Sequence, residues 1–174
     1  MAILWLIALF AILIAAGTAA WAAVSAAPFV PTWRRDVGRM LSLAEVKPDE
    51  LVLDLGAGDG RYLVAAVKNH QARAIGYEIT LLAWLAAWLR LRFSGTAGRA
   101  KILYRDFFRQ DLSSADVVLC FLTPRAMAKL GPKLKRELKP GTRVLSYAFA
   151  IPGWTPVKKD KPEPGRMAVW VYRV

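Results

Sequence analysis

The sequence predicts an α/β fold in which a mostly parallel sheet carries helices on both faces, preceded by one N-terminal transmembrane helix. After residue 46, short apolar runs alternate with amphipathic segments, which is the pattern of strand–helix–strand crossover units. Before residue 34 the chain has no Asp, Glu, Lys, Arg or His. The 174 residues are therefore predicted to form three parts: an anchor at 1–27, a linker with an amphipathic helix at 28–46, and one domain at 47–174.

Composition limits the kinds of protein that this chain can be. Hydrophobic residues make up 56% of it, enough apolar surface to offset chain entropy, which excludes a disordered protein. The single cysteine, Cys120, excludes a disulfide scaffold and a Cys-rich zinc site, and the apolar run 117–121 around it predicts a buried strand. The net charge of +12 indicates an anionic partner surface, either nucleic acid or membrane headgroups.

The apolar N-terminal segment predicts a membrane anchor. A helix of about 24 residues is about 36 Å long, which exceeds a hydrocarbon core of about 30 Å. A cleavable signal peptide is the alternative, because the segment 25–27 supplies small residues. The flanks favour the anchor, since no basic residue precedes the run whereas Arg34, Arg35 and Arg39 follow it. The positive-inside tendency then predicts a single-pass protein with its domain on the cytoplasmic side, most simply of a bacterial inner membrane.

The elements between anchor and domain follow from two prolines. Pro28 and Pro31 are predicted to end the anchor helix. A short amphipathic helix over 34–44 comes next, and a polar turn at 47–50 separates it from the domain. The apolar face of that helix consists of Val37, Met40, Leu41 and Leu43.

The elements of the domain alternate between strand and helix. A strand at 51–55, a helix at 61–69 and a strand at 72–78 make one parallel crossover unit. The pattern continues with a helix at 81–93, strands at 101–104 and 116–122, a basic amphipathic helix at 124–138 and a strand at 142–149. Closing strands near 155–159 and 167–172 flank a turn with proline and glycine, which predicts an antiparallel hairpin at the edge of the sheet.

A glycine-rich segment, Asp54-Leu55-Gly56-Ala57-Gly58-Asp59-Gly60-Arg61, spans the end of the first strand and the start of the next helix. Glycines here let the backbone turn tightly and approach a ligand, and the next helix points its N-terminus at that ligand. No Lys-Ser/Thr pair follows, so this is not a P-loop, and the acidic residues suit a cationic or hydroxyl-bearing ligand. Glu78 ends the second strand 20 positions after Gly58, where nucleoside-binding folds place the carboxylate that accepts the ribose hydroxyls.

Each acidic residue also has a structural interpretation. Asp54 can cap the turn, Asp59 the next helix, and Glu78 can pair with a surface arginine. Their joint positions at strand ends favour cofactor binding. Nicotinamide binding is the nearest competitor on this fold, but Gly60 comes one residue too early for the full G-x-G-x-x-G spacing.

With these residues in place, the chain resembles a class I S-adenosylmethionine-dependent methyltransferase, a Rossmann-like fold, over about 37–174. More narrowly, it is similar to the small membrane-tethered protein-lysine methyltransferases that include the mitochondrial ATP-synthase c-subunit enzyme and its prokaryotic relatives. The narrower similarity depends on the stretches 58–61, 76–78, 121–124 and 146–149. The resemblance implies that S-adenosylmethionine is the cofactor and that no metal is needed. The cofactor-binding residues that it implies are Asp54, Gly56, Gly58, Asp59, Glu78, Asp106 and Phe107.

The implied reaction makes few demands on acid–base groups. The methyl donor is already activated, so the protein must align the acceptor, exclude water and supply a neutral nucleophile. A dry aromatic pocket lowers the pKa of a lysine amine by disfavouring the cation, and Phe121, Tyr147 and Trp154 are predicted to form it at strand ends. His70, the only histidine, is predicted at a helix end and is not expected to act as a general base.

The predicted function is a protein-lysine N-methyltransferase that acts on an integral membrane protein with an accessible lysine. Anionic lipid headgroups are the expected second partner, because the helix at 81–93 has excess apolar surface near arginines. A second basic region consists of Lys129, Lys133, Lys135, Arg136, Lys139 and Arg143. Nucleic acid is not expected, since no aromatic-interleaved RNA motif accompanies these charges. Two alternatives stay open: a lipid or quinone methyltransferase, and a non-catalytic cofactor-binding assembly factor.

Overall fold

The structure is a computed structural model that describes residues 1–27 and 30–174. Its helices are α1 (Ala2–Ser25), α2 (Arg34–Leu43), α3 (Arg61–His70), α4 (Leu81–Phe93) and α5 (Pro124–Glu137), with a 3-10 helix at Phe107–Arg109. Its strands are β1 (Leu51–Leu55), β2 (Arg73–Glu78), β3 (Ala100–Tyr104), β4 (Val117–Cys120), β5 (Arg143–Tyr147), β6 (Lys158–Asp160) and β7 (Val169–Arg173). The predicted ending of α1 at Pro28 lies outside the described residues.

The strands form one sheet in the order β3-β2-β1-β4-β5-β7-β6. The first five are parallel to their neighbours, whereas β7 runs antiparallel to both β5 and β6. The chain thus proceeds outward from β1 to β3 and then returns to the other side of β1 with β4. This reversal is a topological switch point, where α/β sheets bind ligands beyond the carboxyl ends of their strands. The predicted α/β sheet and its closing antiparallel hairpin are confirmed.

Side chains of each strand alternate between two apolar layers, so the sheet is covered on both faces. In β1, Val52 packs in the layer formed with α2, α3 and α4, whereas Leu53 and Leu55 pack in the layer formed with α5. Cys120 is buried in the second layer, as the apolar run around it predicts. Both faces being buried explains why the parallel strands appear in the sequence as near-continuous apolar runs.

Helix α4 packs on the sheet through its small residues. Ala83, Ala87 and Leu91, which recur at helical spacing, form its buried stripe. Its larger apolar side chains point outward; these are Leu82, Leu85, Trp88, Leu89 and Phe93. Helix α1 is likewise exposed along its first two thirds, and the segment Ala2–Ala22 is long and apolar enough to cross a membrane by length and composition. The fold therefore leaves two apolar helix surfaces without cover in the part of the chain that is described.

Candidate active site

A cleft opens at the switch point, beyond the carboxyl ends of β1, β2 and β4. Its volume is about 700 Å³, counting space that is open to solvent. The residues that line it are Ala22, Ala26, Ala27, Val30, Pro31, Thr32, Asp54, Gly56, Ala57, Gly58, Asp59, Arg61, Tyr62, Tyr77, Glu78, Ile79, Thr80, Phe107, Phe121 and Leu122. Of the seven predicted cofactor residues, six line this cleft.

The glycine-rich segment forms the floor of the cleft with an unusual backbone. Gly56 and Gly58 have φ values of +81° and +54°, a left-handed region that favours glycine. The amides of Gly56 and Ala57 donate to the Tyr77 carbonyl at 3.0 and 2.9 Å, which joins the segment to β2. Gly60, the N-cap of α3, has a φ of +74°, and a Cβ there would lie 3.1 Å from the Cβ of Ala87 in α4. Both the turn and this close packing therefore require glycine.

Glu78 organises the amides around the cleft. Its Oε2 accepts a hydrogen bond from the Gly58 amide at 2.8 Å, and its Oε1 accepts from the amides of Ile79 and Thr80 at 2.8 and 2.7 Å. The carboxylate thus connects the glycine segment to the loop after β2. The surface-arginine interpretation of Glu78 is wrong, since none of its described partners is an arginine.

Asp54 presents a buried carboxyl to the same cleft. Its residue is 4% exposed, and Oδ2 has no hydrogen-bond partner among the described residues. Burial, and then the negative charges of Glu78 and Asp59, raise the pKa of Asp54 to about 8. An uncompensated buried acid of this kind favours a cationic ligand, which would restore the charged carboxylate.

Asp59 is already paired with two arginines. Its carboxylate accepts from Arg61 Nε and Nη2 at 2.8 and 2.7 Å, and from Arg90 Nη2 at 2.7 Å. Burial acts to raise the pKa of Asp59, but the hydrogen bonds and charge of Arg61, with the charge of Arg90, lower it below its usual range. Arg61 also donates to the carbonyl of Thr32. Asp59 therefore fastens the start of α3 to α4 at the rim of the cleft.

The last two predicted cofactor residues, Asp106 and Phe107, lie in two different places. Phe107 is buried and lines the cleft. Asp106 caps the 3-10 helix, because its Oδ1 accepts from the Phe108 amide at 2.9 Å. Its side chain instead borders a second groove, which Thr18, Trp21 and Tyr104 also line.

The three predicted acceptor-side aromatics are likewise not all together. Phe121 lines the cleft, and its ring packs edge-on against Tyr147 with centroids 4.9 Å apart at 81°. Trp154 lies elsewhere, with its ring edge-on to Tyr172 at 5.7 Å. Neither Trp154 nor the buried Tyr147 is among the cleft residues, so of the three only Phe121 lines the cleft. The structure therefore brings Phe121 and Tyr147 together and leaves Trp154 apart from them.

A buried acid in α2, which the sequence reasoning missed, holds Tyr147. The Tyr147 hydroxyl donates to Asp36 Oδ2 at 2.8 Å, and Asp36 Oδ1 lies 3.0 Å from Arg166 and 3.2 Å from Arg39. Burial, and then the hydrogen bond and charge of Asp36, raise the pKa of Tyr147 to about 12, so the phenol stays protonated. An acidic residue beside the apolar face of a predicted helix was the available signal.

The arrangement suits S-adenosylmethionine. The buried carboxyl of Asp54, which has no described hydrogen-bond partner, would attract the positive charge of the cofactor. Glu78 and the glycine amides would hydrogen-bond to its hydroxyl groups, and the glycines leave room for it to approach the backbone closely. His70 is not among the residues that line the cleft. It is the last residue of α3, at the end away from the cleft, with Nδ1 3.3 Å from the Val46 carbonyl.

Comparison with known proteins agrees with this fit. A family model described as the ANTKMT methyltransferase domain matches residues 54–158. The chain belongs to this family. Membership of the ANTKMT methyltransferase family confirms the predicted fold and the resemblance to class I methyltransferases. The chain is an S-adenosylmethionine-dependent methyltransferase. The alternative of a non-catalytic module is not supported by this membership.

Several relatives of this ANTKMT-family chain are named as lysine N-methyltransferases. A protein-lysine N-methyltransferase of Saccharolobus islandicus is 44% identical over 146 residues, which cover 83% of this chain and 91% of that protein. The human ATP synthase c-subunit lysine N-methyltransferase is 34% identical over 147 residues, which cover 83% of this chain and 60% of that protein. The mouse adenine nucleotide translocase lysine N-methyltransferase is 36% identical, with 84% and 63% covered. The chain thus spans about three fifths of these two mammalian proteins.

A solved structure shares both the fold and the cofactor chemistry. It is described as an RNA methyltransferase from Salinibacter ruber in complex with S-adenosyl-L-homocysteine, the product that the cofactor leaves after transfer. It is 35% identical with a TM-score of 0.80, and covers 83% of this chain and 94% of that chain. The predicted cofactor is therefore confirmed.

Proposed function

We propose that the protein transfers a methyl group from S-adenosylmethionine to the side-chain amine of a lysine in an integral membrane protein. The lysine acceptor is supported by the names of the archaeal and mammalian relatives. The membrane acceptor is supported by the two mammalian relatives named for the c-subunit of ATP synthase and for the adenine nucleotide translocase. The observation that carries the proposal is that α1, an exposed apolar helix, ends directly at the cleft.

The proposed role of each residue follows from its position in or beside the cleft. Asp54, Gly56, Gly58 and Glu78 would hold the cofactor through charge and through the turn of the glycine segment. Phe107 would pack against it. Asp59 and Asp106 would act at its margins, since both are engaged in their own loops.

On the acceptor side, Phe121 would form an apolar wall for the lysine stem, and Tyr147 would support its ring from behind. Such a wall disfavours the ammonium cation, so the amine enters in its neutral, nucleophilic form. When bound, S-adenosylmethionine would supply an electrophilic methyl group on a positively charged sulfur, and Phe121 would hold the lysine stem so that its neutral amine faces that group. Because Trp154 lies outside the cleft, it would contact only a substrate segment that extends beyond the methylated lysine.

The proposed membrane placement rests on exposed apolar surface. Helix α1 would cross the bilayer as a single pass, with the domain on the cytoplasmic side of a bacterial inner membrane. The outward face of α4 would rest on the interface, because Trp88 and Phe93 are 47% and 81% exposed and such residues favour the headgroup region. Residues 1–27 would then be the anchor, 28–46 the linker and 47–174 the catalytic domain.

Anionic headgroups would contact the exposed arginines near these helices, Arg34, Arg35 and Arg92. The predicted second basic region would contribute less, because four of its six members form ion pairs within the protein. Lys133 and Arg136 bond to Glu137 at 2.7 and 3.0 Å, Lys139 to Asp116 at 2.7 Å, and Arg143 to Glu50. Only Lys129 and Lys135 of this region are exposed without a described ion pair.

RNA is the second candidate acceptor, favoured by the name of the Salinibacter ruber methyltransferase and by the net charge of +12. A lipid or quinone acceptor would also suit an anchored enzyme. One experiment separates these candidates. The purified full chain is incubated with host membranes, host RNA and methyl-labelled S-adenosylmethionine, and the label is followed into protein, organic extract and RNA.

We expect label in an integral membrane protein, recovered as methyl-lysine after hydrolysis. It should be lost in Glu78→Gln, which weakens the cofactor site, and kept in the matched control Glu45→Gln, whose side chain lies outside the cleft. Label confined to soluble proteins would contradict the membrane substrate. Label confined to the organic extract or to RNA would contradict the lysine acceptor.

A further inference from the structure

The C-terminal turns of α1 do not stand apart from the domain but are bonded to it at two points. The Oγ1 of Thr18 accepts a hydrogen bond from the Leu81 amide at 3.2 Å. The carbonyl of Ala26 accepts from both the amide and the Oγ1 of Thr123, at 3.2 and 2.6 Å. Ala26 is buried in the apolar layer that includes α5. This end of the helix is therefore part of the domain.

The two bonding points lie on opposite sides of the cleft. Leu81 is the first residue of α4 and follows the loop whose amides Glu78 holds. Thr123 follows Phe121 and Leu122, and its hydroxyl also caps α5. Helix α1 thus joins the loop after β2 to the loop after β4 across the switch point.

Between these points, the end of α1 and the two residues that follow it present small side chains to the cleft. Ala22, Ala26 and Ala27 line it together with Asp54, whose buried Oδ2 has no hydrogen-bond partner among residues 1–27 and 30–174. Ala22 is 4% exposed, whereas Ala20, which lies about 200° around the helix from it, is exposed. A larger side chain at position 22 would occupy space that faces the unpaired acid.

We propose that the end of α1 is a wall of the cofactor site, so that the proposed membrane anchor is also a binding element for S-adenosylmethionine. The inference rests on the cofactor site described above and not on the identity of the acceptor. It explains why residues next to the cleft in α1 are alanines: methyl groups close the cleft without filling it. It also means that removal of the anchor would weaken cofactor binding and not only membrane association.

The test is the affinity of the full chain for S-adenosyl-L-homocysteine, measured by calorimetry in nanodiscs of phosphatidylcholine and phosphatidylglycerol. Ala22→Leu is expected to weaken binding at least tenfold, because the added side chain enters the cleft. Its control, Ala20→Leu, adds the same bulk on the exposed side of the same helix and is expected to leave the affinity unchanged. Equal affinities for Ala22→Leu and the wild-type chain would overturn the proposal.

A second pair of variants guards against misfolding of Ala22→Leu. Thr18→Val removes the hydroxyl that accepts from Leu81, whereas Thr18→Ser keeps it. Binding weakened in Thr18→Val and restored in Thr18→Ser supports the wall; equal binding in both overturns the coupling of α1 to the loop after β2. Glu78→Gln distinguishes a wrong cofactor site from a wrong role for α1. If this variant binds S-adenosyl-L-homocysteine with unchanged affinity, the proposed cofactor site is wrong. If it binds more weakly while Ala22→Leu does not, only the inference about α1 is wrong.

Discussion

Asp54 is expected to make the cofactor-free protein less stable as the pH rises. The folded carboxyl has a pKa of about 8, whereas the ordinary value is 3.8. Between these two values the native state holds a proton that the unfolded state has released. Raising the pH in this window therefore favours unfolding, and the slope ends above about pH 8. Asp54→Asn, whose amide stays neutral, should remove this contribution.

The size of the effect follows from the shift. One pKa unit corresponds to about 1.4 kcal/mol, so the free energy of unfolding should fall by up to about 1.4 kcal/mol per pH unit within the window. Between about pH 6.0 and 7.5 the wild-type chain should thus lose about 2 kcal/mol relative to Asp54→Asn. Water in the open cleft reduces this figure, so about 1 to 2 kcal/mol is the expected range.

The assay is urea denaturation of the full chain in mild detergent without cofactor, followed by the fluorescence of its seven tryptophans. Asp111→Asn is the matched control. Hydrogen bonds from the Ser113 amide and hydroxyl lower the pKa of this exposed carboxyl, so its contribution changes only in acid. The wild-type and Asp111→Asn curves should run parallel from about pH 5 to 8, and Asp54→Asn should diverge from both. Parallel curves for Asp54→Asn and the wild-type chain would refute a buried, uncompensated acid.

Three further outcomes are expected. Gly76→Ala should lower the free energy of unfolding by about 1–3 kcal/mol in the same assay, because its Cβ would lie 2.8 Å from Leu63 Cδ1; unchanged stability would show that the packing there is loose. Glu78→Gln should weaken S-adenosyl-L-homocysteine binding about 10–100-fold in calorimetry, as expected for loss of charge-assisted bonds; wild-type affinity would remove it from the site. Tyr147→Phe should lower kcat for methyl transfer, because the ring that packs against Phe121 loses its hydrogen bond to Asp36. It should leave cofactor affinity unchanged, because the hydroxyl does not enter the cleft; a matching loss of cofactor affinity would contradict its acceptor-side position.

Local pattern was sufficient to predict the sheet and the residues at the ends of its first strands. The apolar run before Asp54, the glycines after it, and the spacing to Glu78 all depend on residues within about thirty positions. Because parallel strands end at one edge, such local signals converge on one cleft. The bounds of the elements differ from the predicted ones by only a few residues. For example, β2 begins at Arg73 and not at residue 72, and β4 ends at Cys120 and not at residue 122.

Side-chain partners across long separations were not predictable in the same way. Tyr147 and Asp36 are 111 positions apart, and no period or motif relates them. Trp154 follows a strand end as Phe121 does, yet it packs against Tyr172 because Gly131 in α5 leaves space beside its ring. The direction of a side chain after a strand depends on tertiary packing, which the position of the residue in the sequence does not determine.

The bonded end of α1 also places the cleft relative to a bilayer. Thr18 bonds to the first residue of α4, and Ala22 lines the cleft. If α1 crosses a bilayer, the cleft would therefore lie directly beside the headgroups, with the exposed apolar face of α4 next to them. A cleft held there would favour lysines at the membrane surface over lysines on extended soluble domains. The contacts of the anchor with the domain, as much as the shape of the pocket, would then determine which lysine is methylated.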